Sequence, residues 1–317
     1  MTDRLPDELP LFPVSDYGDP DSPPAWMKVD WRQHLHRVQI DGAEVNYAEI
    51  GEGEPVLFVH GLAGCWRNWL ENLPHFGERY RAIALDLPGF GESPMPDWEL
   101  SMPAYGRMLH DFLDALGIDR MAALVGNSMG GFVATEAVIE RPERFERLVL
   151  VSAAGISLAE AKGRRFKAAA QTIKAAAPYL ADAAMLSRPL GRRLAFGWVM
   201  SRPEKLRPEL LSEQLRPGLG SDGLVGSMAS MIGYDTRKRL TEIEIPTLVV
   251  WGLNDHVVPL EAGLGYHRLI PRSRLEIFER TGHVPQIERP ARFNALLDEF
   301  LAGEPAEVVD RDQAAVG

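Results

Sequence analysis

The chain predicts an α/β protein built on a mostly parallel sheet, flanked by helices and carrying an inserted helical cap. Three observations predict it. Continuous apolar runs, Pro55 to Val59 and Pro246 to Trp251, read as strands buried on both faces. These runs alternate with stretches of helical spacing, Ser101 to Leu116 and Phe132 to Ile139, as crossover helices between parallel strands require. The alternation then breaks between Gly155 and Leu240. There Pro178, Pro189, Pro203, Pro208 and Pro217 separate helical stretches, and no strand pattern occurs.

The elements follow in order. Residues 1–35 hold Pro6, Pro10, Pro13, Pro20, Pro23 and Pro24 and read as an irregular arm, with Trp26 and Trp31 packing its second half on the body. Arg37 to Ile40 and Glu44 to Ile50 form a hairpin around Asp41-Gly42. After the strand ending at Val59 come the loop His60-Gly61-Leu62-Ala63-Gly64, a helix from Trp66 to Phe76, and a strand from Tyr80 to Leu85. The turn-rich loop Asp86 to Ser93 leads to the helix Ser101 to Leu116, which Gly117 stops. Strands at Met121 to Val125 and Arg147 to Val151 bracket the helix that starts near Phe132. Beyond the insertion, a helix from Leu260 to Leu269, a strand from Leu275 to Phe278 and a helix from Pro290 to Leu301 complete the pattern. The sheet domain therefore takes residues 36–154 and 241–303, the cap takes 155–240, and the polar tail 304–317 is expected to fray.

Composition narrows the function. The 317 residues suit one large α/β domain with an insertion, and 45% apolar with 25% charged residues is ordinary soluble composition. A net charge of −11 offers no basic field to offset phosphate repulsion, so nucleic acid is not an expected partner. The single cysteine, Cys65, excludes an intrachain disulfide and a Cys-based metal site. The acidic start Met1 to Glu8 lacks a signal peptide's basic and apolar regions, and no apolar run approaches the ~20 residues of a membrane span. The expected address is cytoplasmic.

The chemistry centres on Gly126-Asn127-Ser128-Met129-Gly130-Gly131, placed between a strand and a helix. A serine there sits on a strained turn that pushes its hydroxyl clear of the backbone. At Gly126 and Gly130 a Cβ would collide with the neighbouring strand or helix, and the following helix aims N–H groups at an anion forming beside the hydroxyl. The bare motif also fits a Gly-rich turn with Ser128 as a helix N-cap, so the flanking strand and helix carry the weight. With them, this is the G-x-S-x-G nucleophile elbow, and the chain from Arg37 to Ala302 resembles the α/β-hydrolase family.

A serine hydroxyl needs a positioned base, and chain order in this fold is Ser, acid, His. The resemblance implies His283, in Thr281-Gly282-His283, as base and Asp255, in Gly252-Leu253-Asn254-Asp255, as its orienting acid. Both follow predicted strands and so share the C-terminal sheet edge with Ser128, the edge where open α/β sheets bind ligands. His256 directly follows the acid and is poorly placed to share its hydrogen bond, so it reads as a loop residue. The oxyanion donors implied are the backbone N–H groups of Met129 and Leu62. His60 reads as structural, the Asp86 loop as architecture and Cys65 as packing. No phosphate loop, metal-ligand cluster or dinucleotide fingerprint occurs, and no cofactor is expected.

Serine at position 128 sets aside the family's haloalkane dehalogenases and epoxide hydrolases, which carry aspartate there. The elbow and Asn254-Asp255 with Val258-Pro259 are similar to the C–C hydrolases of meta-cleavage products. The loop Leu62-Ala63-Gly64-Cys65-Trp66 departs from that group's Gly/Ser/Pro-rich loop, and Val284-Pro285 stands where it tends to carry an aromatic. The expectation is therefore a carboxylesterase or small-ester, monoacylglycerol-type lipase. Its substrate would be a small ester with an apolar acyl group. C–C hydrolysis comes second, and a non-catalytic small-molecule binder on the same fold third. Within the cap, the basic stretch Lys162 to Lys174 reads as a solvated helix face or as a lipid-docking one. Phe166, Leu186, Phe196, Trp198, Met228 and Met231 either line an acyl pocket or hold the cap to the sheet.

Overall fold

The computed structural model describes residues 11–12, 23–156, 183–218 and 221–303. Among the described residues nine strands are formed: β1 (Leu11–Phe12), β2 (Leu35–Ile40), β3 (Ala43–Ile50), β4 (Pro55–Val59), β5 (Arg81–Leu85), β6 (Ala123–Asn127), β7 (Leu148–Val151), β8 (Thr247–Gly252) and β9 (Ser273–Phe278). They make one sheet in the order β1-β9-β8-β7-β6-β4-β5-β3-β2. Pairing is antiparallel between β2 and β3 and between β3 and β5, and parallel elsewhere. The central strands β6, β7 and β8 are buried along their whole length, which explains their uninterrupted apolar character. The β2–β3 hairpin closes through Asp41-Gly42, with Gly42 at φ +66°, a left-handed conformation that glycine takes without steric cost.

Helices cover both faces. Of α1 (Leu73–Phe76), α2 (Met102–Ala115) and α3 (Met129–Glu140), the last two pack together on one face, burying Leu109, Phe112, Phe132 and Val133. The Ser101 hydroxyl caps α2 by accepting from the Ala104 N–H at 3.2 Å. Between β7 and β8 lie α4 (Ala183–Leu186), α5 (Pro189–Phe196), α6 (Pro208–Gly218) and α7 (Gly223–Met231), with no strand among the described residues there. After β8 come α8 (Leu260–Leu269), α9 (Pro285–Glu288) and α10 (Pro290–Ala302). On the opposite face, Trp69 meets Phe58 of β4 and Phe293 of α10, with ring centroids 5.0 and 6.3 Å apart. This aromatic contact joins strand, loop and C-terminal helix.

Two expectations need correction. The single helix from Trp66 to Phe76 is a short 3-10 turn, Trp66–Trp69, followed by the four residues of α1. Pro74 has no N–H to offer Leu70, and its ring would strike that carbonyl, which opposes a continuous helix by about 3 kcal/mol. The arm is not wholly irregular. Leu11–Phe12 pairs in parallel with Ile277 and Phe278, covering an edge of β9 that would otherwise leave backbone groups open. As expected, Trp26 is buried, and its indole N–H donates to Glu71 at 3.0 Å.

The apolar residues of the inserted stretch divide. Leu186 and Phe196 are buried in the cluster that holds Trp66, and Met231 in the cluster on the other face with Met228 against it. Trp198 is 49% exposed. The buried ones hold the insertion to the sheet. Phe166 and the basic stretch Lys162 to Lys174 lie outside the described residues.

Candidate active site

Parallel strands put their C-terminal ends on one edge, and each candidate residue follows such an end. Ser128 comes directly after β6, Asp255 three residues after β8 and His283 five after β9. Ser128 has φ +54° and ψ −117°, a left-handed conformation that non-glycine residues rarely adopt. The strain, roughly 1–3 kcal/mol, persists because the neighbours hold both ends of the residue. The Ser128 N–H donates to Val151 at 2.9 Å, and its carbonyl accepts from Ala154 at 2.9 Å and from Phe132 at 3.2 Å.

The glycines of the elbow are sterically required. A Cβ at Gly126 would overlap the Gly130 carbonyl, and one at Gly130 would overlap the Val59 and His60 carbonyl oxygens. A Cβ at Gly61 would stand 3.0 Å from that of Ser128, so the loop after β4 lies against the serine. That loop contains Leu62. Met129 is the first residue of α3, and its N–H has no carbonyl one turn back in the same helix. These are the positions expected of oxyanion donors.

His283 and Asp255 come together. The His283 Nδ1 lies 2.8 Å from Asp255 Oδ2, and both residues are buried. The other Asp255 oxygen accepts the N–H groups of Val257 and Val258 at 2.8 and 2.9 Å. A carboxylate fixed this way accepts a hydrogen bond from Nδ1–H, which keeps the proton on Nδ1 and leaves Nε2 with its lone pair. The loops that carry Asp255 and His283 also bond directly, from the Asn254 N–H to the Thr281 carbonyl at 2.9 Å. His256 is exposed, consistent with a loop residue.

Three residues whose hydrogen-bond partners the sequence did not show hold this arrangement. Asn127 is buried beside Ser128, and its amide donates to the Val151 carbonyl at 3.0 Å and the His283 carbonyl at 3.2 Å. It ties the elbow to the histidine loop. A polar residue inside an otherwise apolar strand end was the available signal. Asp86 is fully buried and receives three donors: the Trp66 N–H at 2.7 Å, the Asn46 amide at 2.8 Å and the Glu92 N–H at 2.9 Å. It thus fixes the far end of the loop that carries Leu62. The third is Glu288, which lies behind the histidine loop.

His60 has both ring nitrogens engaged. Nε2 accepts the Leu87 N–H at 2.9 Å, so the proton is on Nδ1, which donates to the Gly61 carbonyl at 2.7 Å. Burial lowers its pKa to about 4, and the ring stays neutral as a loop brace. Cys65 is buried, and desolvation, reinforced by Asp86, raises its thiol above the ordinary range. A thiol in that state packs and does not react.

Burial also raises Asp86 from 3.8 to about 6, against the pull of its three hydrogen-bond donors. An acid with a raised folded pKa stabilises the fold fully below pH 3.8, and that contribution is lost as pH rises through 6. The loss corresponds to roughly 3 kcal/mol. Asp86→Asn removes the titration, so its unfolding free energy, measured by urea titration at pH 4.5 and 7.5, is expected to fall less steeply with pH than the wild type's. At pH 7.5 the variant is also expected to have lost part of its stability outright, because its amide N–H₂ faces a donor.

A mostly parallel sheet covered by helices, with an elbow serine and a His–Asp pair at its C-terminal edge, is the architecture of an α/β hydrolase. The chain belongs to the α/β hydrolase fold family, whose model matches residues 54–290. It is 34% identical to a 2-hydroxy-6-oxo-6-phenylhexa-2,4-dienoate hydrolase of Comamonas testosteroni, over 81% of this chain and 91% of that one. Among solved structures it is similar to an N-acyl homoserine lactone degrading enzyme (27% identity, TM-score 0.66, covering 84% of this chain and 100% of that one). It also shares its fold with a thermophilic esterase from Thermogutta terrifontis (24% identity, TM-score 0.71, covering 84% and 97%). Among the described residues, no helix is long and apolar enough to cross a membrane.

Proposed function

We propose that the protein is a serine hydrolase that cleaves small carboxylic esters through an acyl-enzyme on Ser128. The observation that carries this reading is the 2.8 Å His283–Asp255 hydrogen bond on the sheet edge that presents the strained Ser128. In this mechanism His283 Nε2 takes the Ser128 proton as Oγ attacks the ester carbonyl. The oxyanion gathers on the Leu62 and Met129 N–H groups, worth on the order of 3 kcal/mol per donor in the barrier. The imidazolium then gives its proton to the leaving alkoxide. Water, deprotonated by His283, releases the acid and restores Ser128. Asp255 keeps the imidazole tautomer throughout and stays ionised. The inserted helices act as a cap over the acyl group.

A second reading, C–C hydrolysis of a ring-fission product, is favoured by the 34% identity to the Comamonas dienoate hydrolase. It uses the same nucleophile and base but requires a vinylogous keto acid. Val284 follows His283 and is buried, with Pro285 opening α9, and neither is aromatic. This departure, with a Leu62-to-Trp66 loop lacking the serine and proline typical of that group, favours the ester.

Turnover of p-nitrophenyl esters from acetyl to long acyl, beside bleaching of a coloured 2-hydroxy-6-oxo-dienoate, discriminates the two. Ester turnover that disappears in Ser128→Ala is the expected result. Dienoate turnover with esters inert would move the assignment to C–C hydrolysis. Inertness toward both, with no fluorophosphonate labelling of folded protein, would make the chain a binder.

A further inference from the structure

Glu288 lies in α9, and its side chain is fully buried. One carboxylate oxygen accepts the N–H of Gly282, the residue before His283, at 2.7 Å. The other accepts the N–H of Ser201, just beyond α5 of the insertion, at 2.8 Å. The His283 N–H itself donates to the Val199 carbonyl at 2.7 Å. Residues 199–201 of the insertion and 282–283 of the histidine loop are therefore stitched together, with Glu288 as the side chain that bonds both. There is no slack in this seam, because a Cβ on Gly282 would overlap the Val199 carbonyl. Behind it the buried Arg289 donates to the Thr281 hydroxyl at 3.3 Å and the Arg280 carbonyl at 3.2 Å, bracing the same loop from its other end.

A buried carboxylate is a costly way to fill a core. Desolvation pushes Glu288 up to about 7, although its backbone donors and Arg289 pull the other way. An apolar residue would pack there at lower cost but could not accept either N–H. The two bonds therefore account for the group, and both end on the segments that meet at His283.

We propose that Glu288 is a positioning residue: its two oxygens set the backbone of the histidine loop and lock it to the insertion, so that seating of the insertion and orientation of His283 are one event. The inference rests on the reading of His283 as the base of Ser128. A small rotation of the loop would move Nε2 relative to the serine while leaving the substrate's binding surface in place. The effect should therefore appear in kcat and in serine reactivity more than in KM.

Glu288→Gln is close to isosteric, but its amide can accept only one of the two N–H groups and turns a donor toward the other. The test follows fluorophosphonate labelling of Ser128 and p-nitrophenyl ester kinetics, with cooperative melting as the check on folding. The expected result is a folded variant whose labelling rate and kcat fall on the order of 100-fold. KM is expected to stay within about threefold. Glu288→Asp keeps the charge but is one methylene too short to span both donors, so it should give an intermediate loss, and it carries the test if the glutamine variant does not fold. Variants that melt lower yet label at the wild-type rate would overturn the inference and leave Glu288 a purely structural residue. A folded wild type that never labels would instead remove the serine reading, and with it the site that Glu288 is said to position.

Discussion

Asp255→Asn is expected to lower kcat about ten-thousand-fold while leaving the fold intact. The asparagine oxygen can replace Oδ1 and keep the N–H groups of Val257 and Val258, so the loop has no reason to rearrange. Its amide N–H₂ then faces His283, where the carboxylate accepted the Nδ1–H hydrogen bond at 2.8 Å. A donor at that point forces Nδ1 to become the acceptor and moves the imidazole proton to Nε2. The nitrogen left for Ser128 then carries a proton and cannot take another. Pre-steady-state ester kinetics would show slow acylation with KM little changed, and the melting temperature should stay close to wild type. A loss below tenfold would argue that Asp255 only shapes its turn.

Gly130→Ala should act through the fold instead. The added methyl overlaps two backbone carbonyls, and neither can rotate away as a side chain could: Val59 ends β4, and His60 is held by its ring bonds to Gly61 and Leu87. Relief requires α3 to lift away from the end of β4. That would disturb the contact of α3 with α2 and the strained turn at Ser128 together. The expected cost is about 3 kcal/mol or more, the upper range for overpacking. Thermal melts should show the loss, and fluorophosphonate labelling should fall further than the unfolded fraction explains. Wild-type melting and labelling would mean that the close packing of the elbow against β4 is not needed.

The two variants separate what is local at this site from what is not. The elbow was readable from sequence because its requirements are local: glycines at two positions, an apolar strand before and helical spacing after. The same holds for β4 and β8, whose continuous apolar runs announce burial on both faces, and for α8, whose bounds match the expected ones. The break at Pro74 was readable too, since a missing N–H and a ring clash with the Leu70 carbonyl disfavour a continuous helix there, and the apolar spacing from Trp66 to Phe76 hid it. Order along the chain and placement after strands brought out Ser128, Asp255 and His283. Only the folded chain shows that the last two meet.

What the sequence by itself determined is therefore the alternating architecture, the interruption by helices and the chemistry offered at one sheet edge. These follow from periodicity, proline and glycine sterics, and side-chain type, which act within a few residues. The tertiary structure alone decided which buried polar groups support that chemistry. Asn127 reaches a carbonyl 156 residues along the chain, Glu288 joins a loop to an insertion 87 residues before it, and Asp86 gathers donors from both sides of itself. A buried polar group must find a partner, but which partner depends on the segments the sheet brings alongside it, and no local pattern encodes that.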